Sequence, residues 1–399
     1  MLDKKNFSLN SLSFYSNLKK TKKIFNFLRT DLNNQIPLLQ SFERDYPLDF
    51  SPTTVKKFSK YKNIIIFGMG GSILGTKCIY HFLKRKIKKK VFFFDNLDQN
   101  LYFELKKIKN LKNSCFIVVS KSGNTLETLT NFNVAFSKNL IKKNLVIITE
   151  LKDNNLIRIG NELEASIIEH KDFIGGRYSV FSEVGMFPAK LMGLKIEKFR
   201  NIKKLIYNKE FISSLLKSVA SIYTLYKRGI NNSIILNYDT DLNQLGLWYQ
   251  QLIGESLGKN GKGITPIIST APRDNHSMLQ LYLDGPKDKF FTFLSTHKKN
   301  DNYKFSGKMI PSEMRFLKNK TIQSIINAQL KATSNIYTLK NIPFRHFELK
   351  KNDEEELGRI FTFFVLEIIL LGRLFNTNVF NQPAVEQVKD ETKKILLRK

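Results

Sequence analysis

The feature that most constrains this chain is an alternation that starts near residue 60. Short, nearly continuous apolar runs recur, each followed by a helix-length segment. The runs are Asn63–Phe67, Val91–Phe94, Cys115–Val119, Leu145–Thr149 and Ser166–Ile168. Runs apolar on successive residues suit parallel strands covered on both faces. The segments between them include the helix candidates Ser72–Lys86 and Thr125–Phe136. Strand alternating with helix predicts a doubly wound parallel sheet.

A helical stretch over 195–230 follows, and the alternation resumes with strands at Ser233–Asn237, Pro266–Thr270 and Phe290–Leu294. Helices are expected at Asp241–Leu257, Thr321–Ala332 and Asp353–Phe375, and from Ala384 to the end. The Asp353–Phe375 segment is apolar on most faces, which predicts burial. At 399 residues the chain exceeds what one core usually holds. The expected fold is α/β, with two doubly wound parallel-sheet domains and helical extensions at both ends. The expected limits are 1–40 for an N-terminal helical extension, 41–195 and 196–380 for the two α/β domains, and 381–399 for a C-terminal helix.

Two loops follow strands and open helices. The first is Gly68-Met69-Gly70-Gly71-Ser72-Ile73-Leu74-Gly75. Its glycines permit a tight turn and close approach of a ligand to the backbone. The helix start beyond offers free N–H groups to an anion. A dinucleotide fingerprint fits poorly, because Ile73 stands at the third glycine position, although Asp95 ends the next strand where a ribose-binding acid would lie. The second loop is Ser120-Lys121-Ser122-Gly123-Asn124-Thr125, followed by Leu126-Glu127-Thr128. One hydroxyl would serve as a helix cap. Three hydroxyls with a lysine point instead to a phosphate monoester, held by directional donors and the helix dipole. No GxxxxGK[ST] string is present.

Three further strings carry a family resemblance. They are Gly175-Gly176-Arg177-Tyr178-Ser179-Val180, Gln251-Leu252-Ile253-Gly254-Glu255-Ser256-Leu257-Gly258-Lys259, and Phe380-Asn381-Gln382-Pro383-Ala384-Val385-Glu386-Gln387-Val388-Lys389. With the SKSGNTLET loop they resemble the phosphoglucose isomerase family, proteins of two sugar-isomerase (SIS) domains. Ala384 stands where that family's C-terminal motif usually has glycine. The resemblance spans roughly residues 60–395, and the motifs fall in family order.

It implies reversible aldose–ketose isomerisation of glucose 6-phosphate and fructose 6-phosphate through a cis-enediol(ate). Glu255 would be the base, Arg177 would steady the enediolate oxygen, and His276 with Lys389 would open the ring. Ser120, Lys121, Ser122 and Thr125 would hold the phosphate; Gly71, Ser72 and Gln382 would contact the sugar. It further implies no metal or organic cofactor, and a homodimer in which His276 serves the neighbouring site. A phosphosugar-sensing module lacking catalysis would need the Ser120–Thr125 loop but not Glu255, Arg177 or Lys389. A bifunctional phosphoglucose/phosphomannose isomerase is a closer alternative.

The charge is the other conspicuous feature: 65 cations, 52 of them Lys, against 35 acids give +30. Such a surplus raises the question of nucleic acid or an anionic membrane. The densest run, Lys84-Arg85-Lys86-Ile87-Lys88-Lys89-Lys90, sits in a helix-to-strand connection and reads as a solvated surface. A small anionic phosphosugar is therefore the expected partner, not nucleic acid or membrane. No run of about 20 apolar residues exists, and residues 1–20 lack the apolar core of a signal peptide. The five histidines (81, 170, 276, 297, 346) show no metal-ligand spacing. Cys78 and Cys115 read as buried small hydrophobes in a reducing, cytoplasmic compartment.

Overall fold

A computed structural model describes residues 11–398 apart from 31, 138–140, 142–143 and 298–303. The first ten residues, on which half of the leader reading falls, lie outside the described residues.

The first sheet comprises β1 (Asn63–Gly68), β2 (Lys90–Phe94), β3 (Ser114–Val119), β4 (Leu145–Thr149) and β5 (Ser166–Glu169), in the order β2-β1-β3-β4-β5. All pairings are parallel. β1, β3 and β4 are buried along their whole length, as their unbroken apolar character requires. The second sheet has β6 (Asn232–Asn237), β7 (Thr265–Thr270), β8 (Lys289–Thr296) and β9 (Phe344–Leu349), in the order β7-β6-β8-β9, again parallel. In the first sheet the strand order reverses between β1 and β3. Loops after neighbouring strands at such a switch point diverge and leave a crevice at the carboxyl ends. The two candidate loops, after Gly68 and Val119, flank that crevice, since these two residues are register partners.

One apolar core runs from the first sheet to the second. Helix Leu74–Leu83 packs against helix Asn243–Leu257, which packs against helix Glu354–Phe375. The last is buried over nearly its full length. Trp248 and Phe361 meet edge to face with ring centroids 4.6 Å apart, and Phe181 meets Phe361 at 5.7 Å.

The eight expected strands are present; β9 was not expected. Its sequence, Phe344-Arg345-His346-Phe347-Glu348-Leu349, is neither continuously apolar nor cleanly alternating, and Arg345 in it is fully buried. The guanidinium is tolerated there because Glu367, the acid interrupting the Phe361–Gly372 run, pairs with both of its terminal nitrogens. Helices Pro52–Ser59, Asn155–Glu162 and Glu183–Leu191 were also not expected. Each starts at a side-chain cap: Ser51, Asn154 and Ser182 accept from Thr54, Ile157 and Val184 N–H. The Ser72–Lys86 segment is helical only in pieces, with 3-10 turns at Gly70–Ser72 and Lys84–Lys86 around the α-helix.

Candidate active site

Gly70 has a left-handed φ of +51°, and a Cβ on it would lie 2.8 Å from Gln251 Nε2. Gly71 is more constrained still. A Cβ on it would fall 2.2 Å from the carbonyl carbon of Gly176 and 2.4 Å from Arg177 N. The first glycine loop is thus pressed backbone to backbone against the Gly175–Val180 string. Ser179 Oγ adds a bond to Gly71 O (3.3 Å) and one to Gly176 O (2.7 Å). Ser72 is half-buried in the turn that leads into helix Leu74–Leu83. Asp95, the ribose acid of the dinucleotide alternative, is instead paired with Lys77 at 2.6 Å.

In the second loop Ser120 is buried, and its hydroxyl lies 2.8 Å from Thr125 Oγ1. Gly123 turns the chain with φ +67° and packs on Asn154, whose Oδ1 would sit 1.9 Å from a Cβ there. Its N–H closes the turn on Ser120 O at 3.1 Å. Thr125 directly precedes helix Leu126–Ser137. Ser122 is exposed and accepts from Asn124 N–H. Lys121 leans back: its ammonium donates to Asp172 O at 2.5 Å and lies 3.6 Å from Glu150.

The three long strings converge on Arg177, which is buried (3% exposed). Its Nε donates to Ser256 Oγ (2.8 Å). Its Nη1 donates to Gln382 Oε1 (2.8 Å) and Glu255 Oε2 (3.2 Å). Its Nη2 donates to the carbonyls of Val379 and of Asn381 (3.1 Å for the latter). Tyr178 OH donates to Val379 O at 2.9 Å and lies 3.0 Å from Ser256 Oγ; burial holds its pKa above the ordinary phenol value. Glu255, on the last turn of helix Asn243–Leu257, accepts from Gln251 Nε2 at 2.9 Å. Its side chain is 29% exposed. Arg177 is thus fixed from behind, while the carboxylate it holds keeps an open side.

Arg177, Glu255 and Gln382 therefore meet. His276 and Lys389 do not join them. His276 is exposed at the end of the 3-10 turn Arg273–His276. Lys389 is exposed on helix Ala384–Leu397 and pairs with Glu386 at 2.7 Å. Sequence reasoning missed Gln251, Ser256, Tyr178 and the carbonyls of Val379 and Asn381 as parts of the cluster. The side chains sat inside the quoted strings; the carbonyls have no sequence signal. Among the described residues no three His, Cys, Asp or Glu side chains gather as metal ligands, and no helix is long and apolar enough to cross a membrane.

A parallel α/β sheet with a hydroxyl-rich loop at its switch point, in a chain that also holds a buried arginine bonded to a partly open carboxylate, has the layout of a phosphosugar isomerase type of protein. Comparison with known proteins narrows this. Residues 50–277 match the phosphoglucose isomerase family. The chain is 35% identical to a glucose-6-phosphate isomerase of Methanocaldococcus jannaschii, over 87% of each chain. It is 32% identical to that of Campylobacter jejuni, over 84% of this chain and 85% of the relative. A glucose-6-phosphate isomerase structure from Chlamydia trachomatis superposes with a TM-score of 0.72 at 20% identity, over 90% of this chain and 77% of that one. The chain belongs to the phosphoglucose isomerase family.

Proposed function

We propose that the crevice carries out the family reaction, the reversible isomerisation of glucose 6-phosphate and fructose 6-phosphate. The observation that carries this reading is the Arg177–Glu255 contact at 3.2 Å, with one partner sealed in the core and the other partly open to solvent. Isomerisation moves a proton between adjacent carbons, so a base must face a planar intermediate whose oxygen carries negative charge. Glu255 is the base: it takes the proton from one reacting carbon and returns it to the neighbour. Arg177 keeps its own proton and steadies the enediolate oxygen by its charge; its five N–H donors all have acceptors, so a direct bond to that oxygen displaces Gln382 or Glu255 from Nη1. Gln382 shares Nη1 with Glu255 and orients the sugar hydroxyls.

The phosphate binds at Ser120–Thr125, where Thr125 and Ser122 offer hydroxyls beside the N-terminus of helix Leu126–Ser137. Lys121 supports this site through its backbone and its positive field, since its ammonium is bonded to Asp172 O. Gly71 and Ser72 form the wall between phosphate and reacting carbons.

His276 and Lys389 serve ring opening in a homodimer, where His276 comes from the neighbouring subunit. Two observations support this: His276 is exposed, and no residue of helix Ala384–Leu397 is buried although Val388 and Leu396 are about 70% exposed. The protein works in the cytoplasm, a reading supported by two unpaired, fully buried thiols whose pKa burial pushes up.

The deciding experiment is a coupled assay with fructose 6-phosphate, run beside mannose 6-phosphate. Formation of glucose 6-phosphate with no comparable turnover of the mannose ester is the expected result. Folded protein giving no glucose 6-phosphate would sink the reading. Sedimentation equilibrium tests the dimer; a monomer with full activity would remove the partner's role.

A further inference from the structure

The geometry points to Lys259 as a positioning residue, a three-way tie between the two chain segments that hold Arg177. This rests on the reading that Arg177 and Glu255 act on the substrate.

A helix leaves its last carbonyls without intrahelical donors. At the end of helix Asn243–Leu257 the Gly254 carbonyl is taken by Gly258 N–H (3.1 Å) and the Leu257 carbonyl by Lys259 N–H (3.0 Å). The two between them, of Glu255 and Ser256, both accept from Lys259 Nζ at 2.8 Å. The third ammonium proton goes to Asn378 O, also at 2.8 Å. An ammonium has three donors and no acceptor, so Lys259 is saturated.

The acceptors are informative. Glu255 and Ser256 are the residues whose side chains bind Arg177 Nη1 and Nε. Asn378 precedes Val379, Asn381 and Gln382, which bind the rest of the guanidinium. A closed ring results: Arg177 to the helix end, helix end to Lys259, Lys259 to the C-terminal segment, and that segment back to Arg177. Without Lys259 the helix end and the C-terminal segment lose this direct tie beside the guanidinium. The turn is itself rigid, since Lys259 and Lys262 exchange backbone bonds of 3.0 and 2.9 Å. Lys262 Nζ binds Phe375 O at 3.0 Å, farther along the chain from the cluster, and serves as the natural control.

The tie is also titratable. Burial, with the Arg177 cation adding to it, brings the Lys259 ammonium down to about 8. Neutral Lys259 has two donors for three carbonyls, so raising the pH opens one arm. The charged groups facing it are Arg177 and, on the helix that ends just before it, Glu255. Residues 376–382 bring no ionisable side chain, and Tyr178 stays neutral there because burial raises its pKa.

The test is kcat and KM against pH for wild type, Lys259→Met, Lys259→Arg, Lys262→Met and Glu255→Gln. Lys259→Met is expected to lower kcat about tenfold or more with KM within about threefold, because small misplacements of reacting groups are costly. Lys259→Arg keeps a cation that does not titrate, so it moves the alkaline limb of kcat from about pH 8 to beyond about pH 10. Lys262→Met keeps kcat within about twofold. An unshifted alkaline limb in Lys259→Arg overturns the proposal, and so does wild-type kcat in Lys259→Met. Should Lys259→Met not fold, Lys259→Arg decides alone. Full turnover by Glu255→Gln would instead overturn the reading of the site, and this proposal with it.

Discussion

The two arginines that are buried and paired with a carboxylate, among the described residues, are built for different ends. Arg345 and Glu367 are both fully buried, on β9 and helix Glu354–Phe375. Ser218, Thr292 and Tyr249 complete their hydrogen bonds. Burial alone would push the Arg345 guanidinium down, but Glu367 and Tyr249 outweigh it and hold it above its ordinary value. Arg177 is equally sealed, but its carboxylate partner is not: Glu255 keeps 29% of its side chain open. A pair closed on both sides can only hold elements together. A pair with one open member can offer a prepared charge to something that enters the crevice.

The largest expected effects separate these pairs most sharply. Glu255→Gln keeps the size and much of the hydrogen bonding of the side chain but removes a base. Turnover is expected to fall about 10³-fold while the denaturation midpoint barely moves. Retained turnover would show the open carboxylate to be a bystander. Arg345→Met should do the reverse, leaving Glu367 an uncompensated buried charge at a cost of about 3–5 kcal/mol in chemical unfolding. Residual folded protein should still isomerise. Loss of activity out of proportion to loss of folded protein would place the sealed pair in the chemistry as well.

A smaller effect is expected at the phosphate loop. Thr125→Val deletes one donor to an anion, a bond of about 1.5–3 kcal/mol. KM for fructose 6-phosphate should rise about tenfold or more with kcat little changed. An unchanged KM would move the phosphate away from Ser120–Thr125.

The same contrast explains what the sequence could and could not disclose. The open pair sits in long strings that follow the family's order, so Arg177, Glu255 and Gln382 are legible in the sequence. The sealed pair was not. Arg345 interrupts a strand pattern and Glu367 interrupts a helix pattern, and periodicity treats each as a fault; only their meeting across about twenty residues makes them compatible with burial. Parallel strands with unbroken apolar runs were readable because burial on both faces leaves no alternation to misjudge. Helix Asn155–Glu162 was not readable, since only Leu156 and Gly160 turn inward. Gly71 is expected to line the sugar; in the fold it also presses on the Gly176–Arg177 peptide, a close approach that a glycine announces but whose partner it does not name.

A third cation–carboxylate pair gives the smallest and most discriminating expectation. Lys389 and Glu386 lie one helical turn apart at 2.7 Å, with side chains 62% and 61% exposed. Water screens such a pair, and double-mutant measurements of exposed pairs cluster below about 1 kcal/mol. On a lone subunit Glu386→Gln should therefore shift chemical unfolding by less than about 0.5 kcal/mol, an order of magnitude below Arg345→Met. The helix that bears the pair has apolar side chains, Val388 and Ile395 among them, facing solvent. If a second subunit covers that face in solution, the pair is desolvated and the same substitution costs more than about 1 kcal/mol. The cost should then fall on dilution as the subunits part. A small, concentration-independent shift would keep Lys389 and Glu386 on an open surface, apart from both buried pairs.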